Sequence, residues 1–571
     1  MTIRDIVPPG VRQRRLPQSR PWQSWEVLAP SLGFASLVIS CLIASPKKYF
    51  WNDELYSHYL LGDPSFFHML GAFHDKINNT PPLYFFVGWM WAQLFGADEL
   101  SLRLLSSLGV GVACIVVWLT LRRTFSFVAT SIGVFTAFFS FRVLAQNVEG
   151  RMYGMFLAAC AAGLGTYSAI NRRREPGGGL LLWNALVHAA MVNTHLHGLF
   201  YSAAILVSHV VRDRSVKVFR PRVYLSVALG WSSLVFYLPS FLIQADAGRP
   251  RDWLTLPTAG DLISVLSISS RSPSGGIDLT SLLILSFFLL ILMVSLLSFY
   301  RRSSGTTDPG SEEQHHAEFS LVILACAFWL VPVAVWIISY AVKPIFWDRY
   351  LLPSLFSRAI LLAYLLSRLE RGVAGSTTWA VAWNSTILRG MRGAIALLIL
   401  GGLLARPIDY AISRPQAERP GSRDTAYGYR DLPIAMQFSH DFLERFQYSP
   451  ERSRYFFILD WEAASDPTGG LFAPQEYKHL EAIRRNYGDV FGNNIIEGSE
   501  FLRKHQRFLV LTFRNADALC GVEKVLQNGH CARWFPMRIL HDPAYETTEI
   551  GEVGDRKLWL VVAKTPSTHS T

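Results

Sequence analysis

The sequence predicts a polytopic α-helical membrane protein of about eleven spans, with interfacial helices in its first outer loop and a soluble α/β domain at its C-terminal end. Three observations carry that prediction. Half of the 571 residues are hydrophobic and only 17% are charged, and the mean hydropathy of +0.24 is too high for a soluble chain of this length. Apolar windows of about 17–22 residues recur, each long enough to cross ~30 Å of hydrocarbon. Beyond about Pro407 the pattern changes to short apolar runs alternating with amphipathic polar stretches.

In chain order, the apolar segments fall at 27–45, 81–97, 101–121, 127–143, 152–170, 180–194, 198–211, 223–243, 279–299, 319–341, 350–367 and 393–405. The tail 1–26 is basic and polar, and no small-residue cleavage site follows the first span, which therefore reads as an anchor rather than a removed signal peptide. Segment 81–97 is short and aromatic. If it does not cross, the loops on the N-terminal side hold about 21 basic residues against about 10 on the other side; if it crosses, the bias reverses. Because cytoplasmic loops carry the Lys/Arg excess, the first arrangement is expected, with 81–97 an interfacial or re-entrant helix. The N-terminus is then cytoplasmic, the C-terminus extracytoplasmic, and the membrane domain covers 27–410. Arg358, inside a span, must face protein, a lipid headgroup or water.

The tail 411–571 reads as one α/β layer domain, with strands at 454–461, 507–513 and 557–564 and helices at 439–448, 476–487 and 516–528. It has no Gly-rich phosphate loop, which speaks against nucleotide binding there. Cys41, Cys114, Cys160 and Cys326 lie in apolar spans as packing residues. Cys520 and Cys531 in the tail read equally as a disulfide or as two buried thiols. The net charge of +11 follows from the basic inner loops, so no nucleic-acid partner is implied.

Four polar clusters interrupt the apolar pattern, all expected on the outer face. Trp51-Asn52-Asp53-Glu54-Leu55-Tyr56 follows the first span. Two adjacent carboxylates at a membrane surface are poorly solvated and repel each other, and both effects raise a carboxylate pKa toward that of a general base; alone, such a pair is more often a solvated loop or helix cap. Around Glu149, Arg151 and Tyr153, the Glu–Arg pair is structural when taken in isolation. His195 and His197, spaced i, i+2 in a short turn, suit hydrogen bonding better than metal ligation. Lys343, Arg349 and Tyr350 place cations among aromatics at the boundary, where they suit a lipid-linked phosphate or plain interfacial anchoring.

In this order and on one face, these clusters resemble the GT-C superfamily of integral-membrane glycosyltransferases, nearest the protein O-mannosyltransferases and the bacterial aminoarabinose transferases that modify lipid A. The matching residues are Asp53-Glu54, Pro81-Pro82-Leu83-Tyr84, Glu149-Gly150-Arg151-Met152-Tyr153, His195-Leu196-His197-Gly198 and Arg349-Tyr350-Leu351-Leu352-Pro353, within 27–405. The resemblance implies transfer of a sugar from a polyprenyl monophosphate to an acceptor hydroxyl, usually with inversion, at the periplasmic face of a bacterial inner membrane. It implies Asp53 as base, with Glu54 its acidic partner. Lys343, Arg349 and His195 would clamp the departing phosphate; Glu149, Arg151, Tyr153, His197, Tyr350 and Tyr84 would line the substrate site. The acceptor would be an envelope glycan, a lipid or a protein, and membrane lipids would surround the bundle. Both named branches place Lys or His just before the two prolines. Thr80 stands there and cannot carry charge, so the donor sugar is not assigned.

The competing class is a transporter or flippase of a lipid-linked sugar, but no internal repeat is evident and the polar clusters sit at one face rather than the midplane. No cofactor is expected, although Asp53, Glu54 and Glu149 together offer a divalent cation three carboxylates.

Overall fold

The computed structural model describes residues 23–173, 175–249, 254–267, scattered positions between 283 and 293, and then 309–375, 386–465, 474–514 and 534–564. Up to Ile412 the chain is a helical bundle. It opens with α1 (Leu28–Ala44), α2 (Asn52–Leu61), α3 (Phe66–His74), α4 (Leu83–Phe95), α5 (Glu99–Arg122), α6 (Phe127–Phe138), α7 (Phe141–Asn147) and α8 (Tyr153–Asn171). Among the described residues, six helices are long and apolar enough to cross a membrane, and up to eight spans result if each of two bent pairs counts as one. The expected count of about eleven includes three segments outside this set. Segment 279–299 lies largely outside the described residues. Helix Gly178–Thr194 has only 17 residues, and helix Gly198–Ser215 carries Arg212, Asp213 and Arg214 at its end. Helix α4 has 13 residues, about 20 Å at 1.5 Å per residue, as expected for an element that does not cross.

Close packing sets the upper end of the bundle. Helices α5 and α8 meet through Gly109 and Gly154, and a Cβ on Gly154 would fall 1.9 Å from the Ser106 carbonyl oxygen. Only glycine permits backbones to approach so near, the small-residue contact common between membrane helices. This contact brings the turn between α7 and α8 against the outer end of α5. The turn is thereby held over the start of α2.

Among the described residues, the C-terminal region holds a six-stranded sheet. Its strands are β1 (Ile434–Met436), β2 (Tyr455–Leu459), β3 (Ile495–Glu497), β4 (Arg507–Phe513), β5 (Tyr545–Val553) and β6 (Arg556–Ala563), in the order β3-β2-β1-β4-β6-β5. The first four run parallel; β6 is antiparallel to β4 and to β5. Strand β2, Tyr-Phe-Phe-Ile-Leu, is buried almost throughout, as parallel strands covered on both faces are. Helices 439–448 and 476–487 of the sequence reading correspond to Ser439–Tyr448 and Pro474–Asn486. The expected helix 516–528, with Cys520 and Cys531, lies outside the described residues. The four cysteines of the bundle are free thiols.

This region is seated on the first loop of the bundle. Tyr448 accepts a hydrogen bond from the Phe50 amide at 2.9 Å, Tyr59 donates to Gln447 at 2.7 Å, and Tyr487 donates to Asp63 at 3.1 Å. Arg485 pairs with Asp75 at 2.9 Å and Lys478 with Asp246 at 3.1 Å. The sheet region therefore stands on the same side of the bundle as Asp53.

Candidate active site

Asp53 and Glu54 occupy the first turn of α2, where free helix N–H groups favour negative charge. Successive helical residues point about 100° apart, and the two carboxylates meet different surroundings. Glu54 is fully buried and gripped by Arg103, whose Nε and Nη2 each donate to it at 2.9 Å. The Gly150 amide adds a bond at 2.7 Å. Burial pushes the Glu54 carboxyl up, but Arg103 and Lys48 outweigh it and hold it below its ordinary value. The remaining Arg103 donors reach the carbonyls of Ser45, Lys48 and Tyr49 at 3.0, 2.6 and 2.9 Å. Glu54 and Arg103 thus fasten the segment leading into α2.

Asp53 faces outward, its side chain 24% exposed and bonded to Arg349 Nη2 at 2.8 Å, with Arg151 Nη2 at 4.0 Å. Arg151 also donates to the Asp53 carbonyl and to Ser57, both at 2.8 Å. Burial raises this carboxyl too, and Arg349, Arg151 and His440 together bring it below its ordinary value. The raised values expected from the adjacent pair are therefore reversed for both residues, because each carboxylate has its own arginine.

Glu149 stands beside Lys48 at 3.8 Å, and burial keeps its carboxyl above the ordinary value despite that cation. The Arg349 guanidinium lies 5.2 Å from the Trp51 ring centre, 5.6 Å from Tyr153 and 5.9 Å from Tyr350. Around Asp53, buried polar atoms without a hydrogen bond accumulate among the described residues: Trp51 Nε1, Tyr56 OH, Glu149 Oε2, Arg151 Nε, Tyr153 OH and Arg349 Nε. Native interiors leave few such atoms, so a concentration of them marks a place built to meet something else.

The other expected residues fall at varied distances from this centre. Tyr350 stacks on Tyr153 at 6.3 Å and lies 4.8 Å from His195. His195 is buried, and burial, then His197, Arg151 and Arg349, hold its imidazole well below the ordinary value. That direction disfavours a charged imidazole, so its expected place in the clamp rests on hydrogen bonding rather than charge. His197 binds the Ile345 carbonyl at 3.0 Å, and burial takes it down to about 4. Tyr84 is buried and donates to the Gly150 carbonyl at 2.7 Å, which holds the turn. Lys343 stands exposed in the turn before Arg349. Arg358, expected to need a partner, is buried and donates to the Val265 carbonyl.

Asp53, Glu54 and Glu149 do not converge as a cation site. Glu54 is taken up by Arg103 and Asp53 is bonded to Arg349, and among the described residues no three acidic, His or Cys groups are placed to hold a metal ion.

Sequence reasoning missed Arg103, counted within an apolar span although an arginine there always needs a partner. It also missed His440 and Glu476 of the C-terminal region, which no local pattern marks.

Residues 79–241 match the family model described as dolichyl-phosphate-mannose-protein mannosyltransferase. No curated protein matches the sequence. Among solved structures, ArnT from Cupriavidus metallidurans bound to undecaprenyl phosphate is 13% identical with a TM-score of 0.51, over 94% of this chain and 98% of that one. Its apo form gives 12% identity and a TM-score of 0.54, over 94% and 97%. The GT-C resemblance is borne out: the chain has the fold of the GT-C integral-membrane glycosyltransferases, shared with ArnT over nearly its whole length.

Proposed function

We propose that this protein is a membrane glycosyltransferase that moves a monosaccharide from a polyprenyl-phosphate donor to an acceptor hydroxyl, with inversion, and that Asp53 is its catalytic base. The work would take place at the periplasmic face of the cell inner membrane, with residues 1–26 cytoplasmic, 27–410 forming the catalytic membrane domain and 411–571 a periplasmic domain. One observation carries the reading: Asp53 is a half-open carboxylate, bonded to Arg349 at 2.8 Å, amid buried polar atoms that lack partners. The undecaprenyl phosphate held by the similarly folded ArnT supports the donor class.

The chemistry follows from the groups present. The Asp53 carboxylate takes the proton of the acceptor hydroxyl while that oxygen bonds to the anomeric carbon. The bond from that carbon to the phosphate oxygen breaks, and the lipid phosphate leaves with the electron pair. Arg349 and Arg151 hold Asp53 below its ordinary value, so it meets the acceptor as a carboxylate and a weak base. That suffices, because the hydroxyl becomes acidic as it bonds to an electron-poor carbon. Arg349 and Arg151 stabilise the charge growing on the phosphate, and Arg349 Nε is available to do so without releasing Asp53. Glu149, paired with Lys48 at 3.8 Å through one oxygen and without a partner on the other, can accept from a sugar hydroxyl. Tyr153, Tyr350 and His195 wall the sugar. The apolar bundle holds the prenyl tail.

The test is reconstitution in liposomes with radiolabelled polyprenyl-phosphate sugars and membrane extract from the protein's own source. Label moving from lipid to acceptor is the expected result. Label crossing the bilayer while still on its lipid, with no transfer, would contradict the proposal and mark a flippase.

A further inference from the structure

The strand order of the C-terminal sheet reverses between β1 and β4, which both run parallel to each other with β2 and β3 to one side. In parallel sheets, ligands bind beyond the carboxyl ends of the strands at such a reversal. Here that edge faces the centre around Asp53. The chain leaving β1 sets His440 5.9 Å from the ring of Trp51, two residues before Asp53, and stacks it on Phe438 at 4.7 Å and 6°. Glu476, in the first turn of helix Pro474–Asn486, accepts from Ser439 Oγ at 2.9 Å. Tyr56 lies one helical turn beyond Asp53, only 7% exposed, with its hydroxyl turned toward Ser439. Its ring meets His479 of the same helix as Glu476 at 5.5 Å.

The charges on this side differ from those on the bundle side. Arg556 is bound to Asp441 at 2.7 Å and Arg445 to Asp424 at 2.8 Å, so these cations are already matched by carboxylates. What reaches toward Asp53 from the sheet region is a carboxyl and an imidazole beside the Trp51 ring, with the carboxylate-bound Arg556 guanidinium 5.6 Å from the Phe438 ring centre. Such a set repels phosphate. It suits sugar rings, whose hydroxyls bond to carboxyl and imidazole while their C–H faces lie on aromatics.

We infer that the C-terminal region forms the acceptor half of the transfer site, with His440, Glu476 and Tyr56 holding an uncharged, polyhydroxylated glycan end beside Asp53. The inference rests on Asp53 being the transfer centre. The donor phosphate then lies on the arginine side and the acceptor on the carboxyl side.

The test is saturation-transfer NMR on the full-length protein in detergent, with neutral oligosaccharides (maltopentaose, chitotriose, mannotriose), a sugar phosphate and a serine-containing peptide as probes. At least one neutral oligosaccharide should bind the wild type and Asp53→Asn alike. Its binding should weaken roughly tenfold or more in His440→Ala and Glu476→Gln, in proteins whose melting is unchanged. If either variant fails to fold, Tyr56→Phe, which removes one hydroxyl, carries the same expectation. Undiminished binding in the variants, preference for the sugar phosphate or the peptide, or no binding of any neutral oligosaccharide overturns the inference. No donor or turnover is needed, so a failed transfer assay and a failed binding assay remain separate results.

Discussion

Two arginine–carboxylate regions meet at neighbouring residues of α2 and are built for opposite ends. Around Glu54, every lone pair and donor is matched: Arg103 forks onto the carboxylate and spends its remaining donors on three carbonyls. Around Asp53, Arg349 and Arg151 share a half-open carboxylate and keep donors in reserve. The saturated region holds the chain in place, and the unsaturated one is where a substrate can complete the bonding. Paired acidic residues in a sequence therefore need not act together.

That contrast can be broken most severely at Arg103. Arg103→Leu should destabilise the protein by about 3–5 kcal/mol, the cost of leaving a buried carboxylate unpaired, read as a large fall in melting temperature in detergent. Arg103→Leu with Glu54→Leu should recover much of that loss; a double variant no better than the single one would mean the arginine's carbonyl bonds matter more than its ion pair.

Arg349→Ala should have a smaller effect on melting and a larger one on turnover. It should cost about 2.7–4 kcal/mol of transition-state stabilisation, some 10²–10³-fold in rate. Equal losses in stability and rate would show that the two regions do not divide the work as described.

A third effect depends on pH. Burial pushes Glu476 up to about 7, and Asp53 and Asp441 add to the rise over the bonds from Ser439. A carboxyl raised in the folded state binds more protons there than when unfolded. Stability should therefore fall as pH rises from about 4.5 to about 7. Glu476→Gln should flatten that decline in a pH series of melting curves. Glu54, depressed, acts with the opposite sign: its pair is intact above the unfolded carboxyl value and is lost only in acid.

The smallest expected change is at Tyr84. Removing its hydroxyl in Tyr84→Phe leaves the Gly150 carbonyl short of one bond, about 1 kcal/mol. KM should stay near its wild-type value, since the ring is buried; a markedly raised KM would place Tyr84 on the substrate face.

Much of this architecture was legible locally. Apolar windows located the bundle helices, and the Lys/Arg bias of the loops argued that 81–97 does not cross, which the 13 residues of α4 fit. In the sheet, β2, β4 and β6 showed as apolar runs. Strands β1 and β3 are three residues long and have no period to detect, and β5 is a largely exposed edge rich in Thr and Glu. Motif order brought Asp53, Glu149, Arg151, Tyr153, His195 and Arg349 to one face, as the geometry has them. What stayed hidden was pairing at long range. Arg349 reaches Asp53 across 296 residues and Arg103 reaches Glu54 across 49, so the sign of both pKa shifts depended on partners that no local pattern names. His440 and Glu476 were invisible for the same reason, since only the docking of the sheet region brings them to the bundle.

The most direct test of the central claim compares Asp53→Asn with Glu54→Gln in transfer from a polyprenyl-phosphate sugar, with melting followed for both. The expected result is that Asp53→Asn melts like the wild type and loses about 10²–10⁴-fold in rate, the contribution of a positioned base, while Glu54→Gln loses stability first. Transfer at the wild-type rate by a folded Asp53→Asn protein would contradict the assignment.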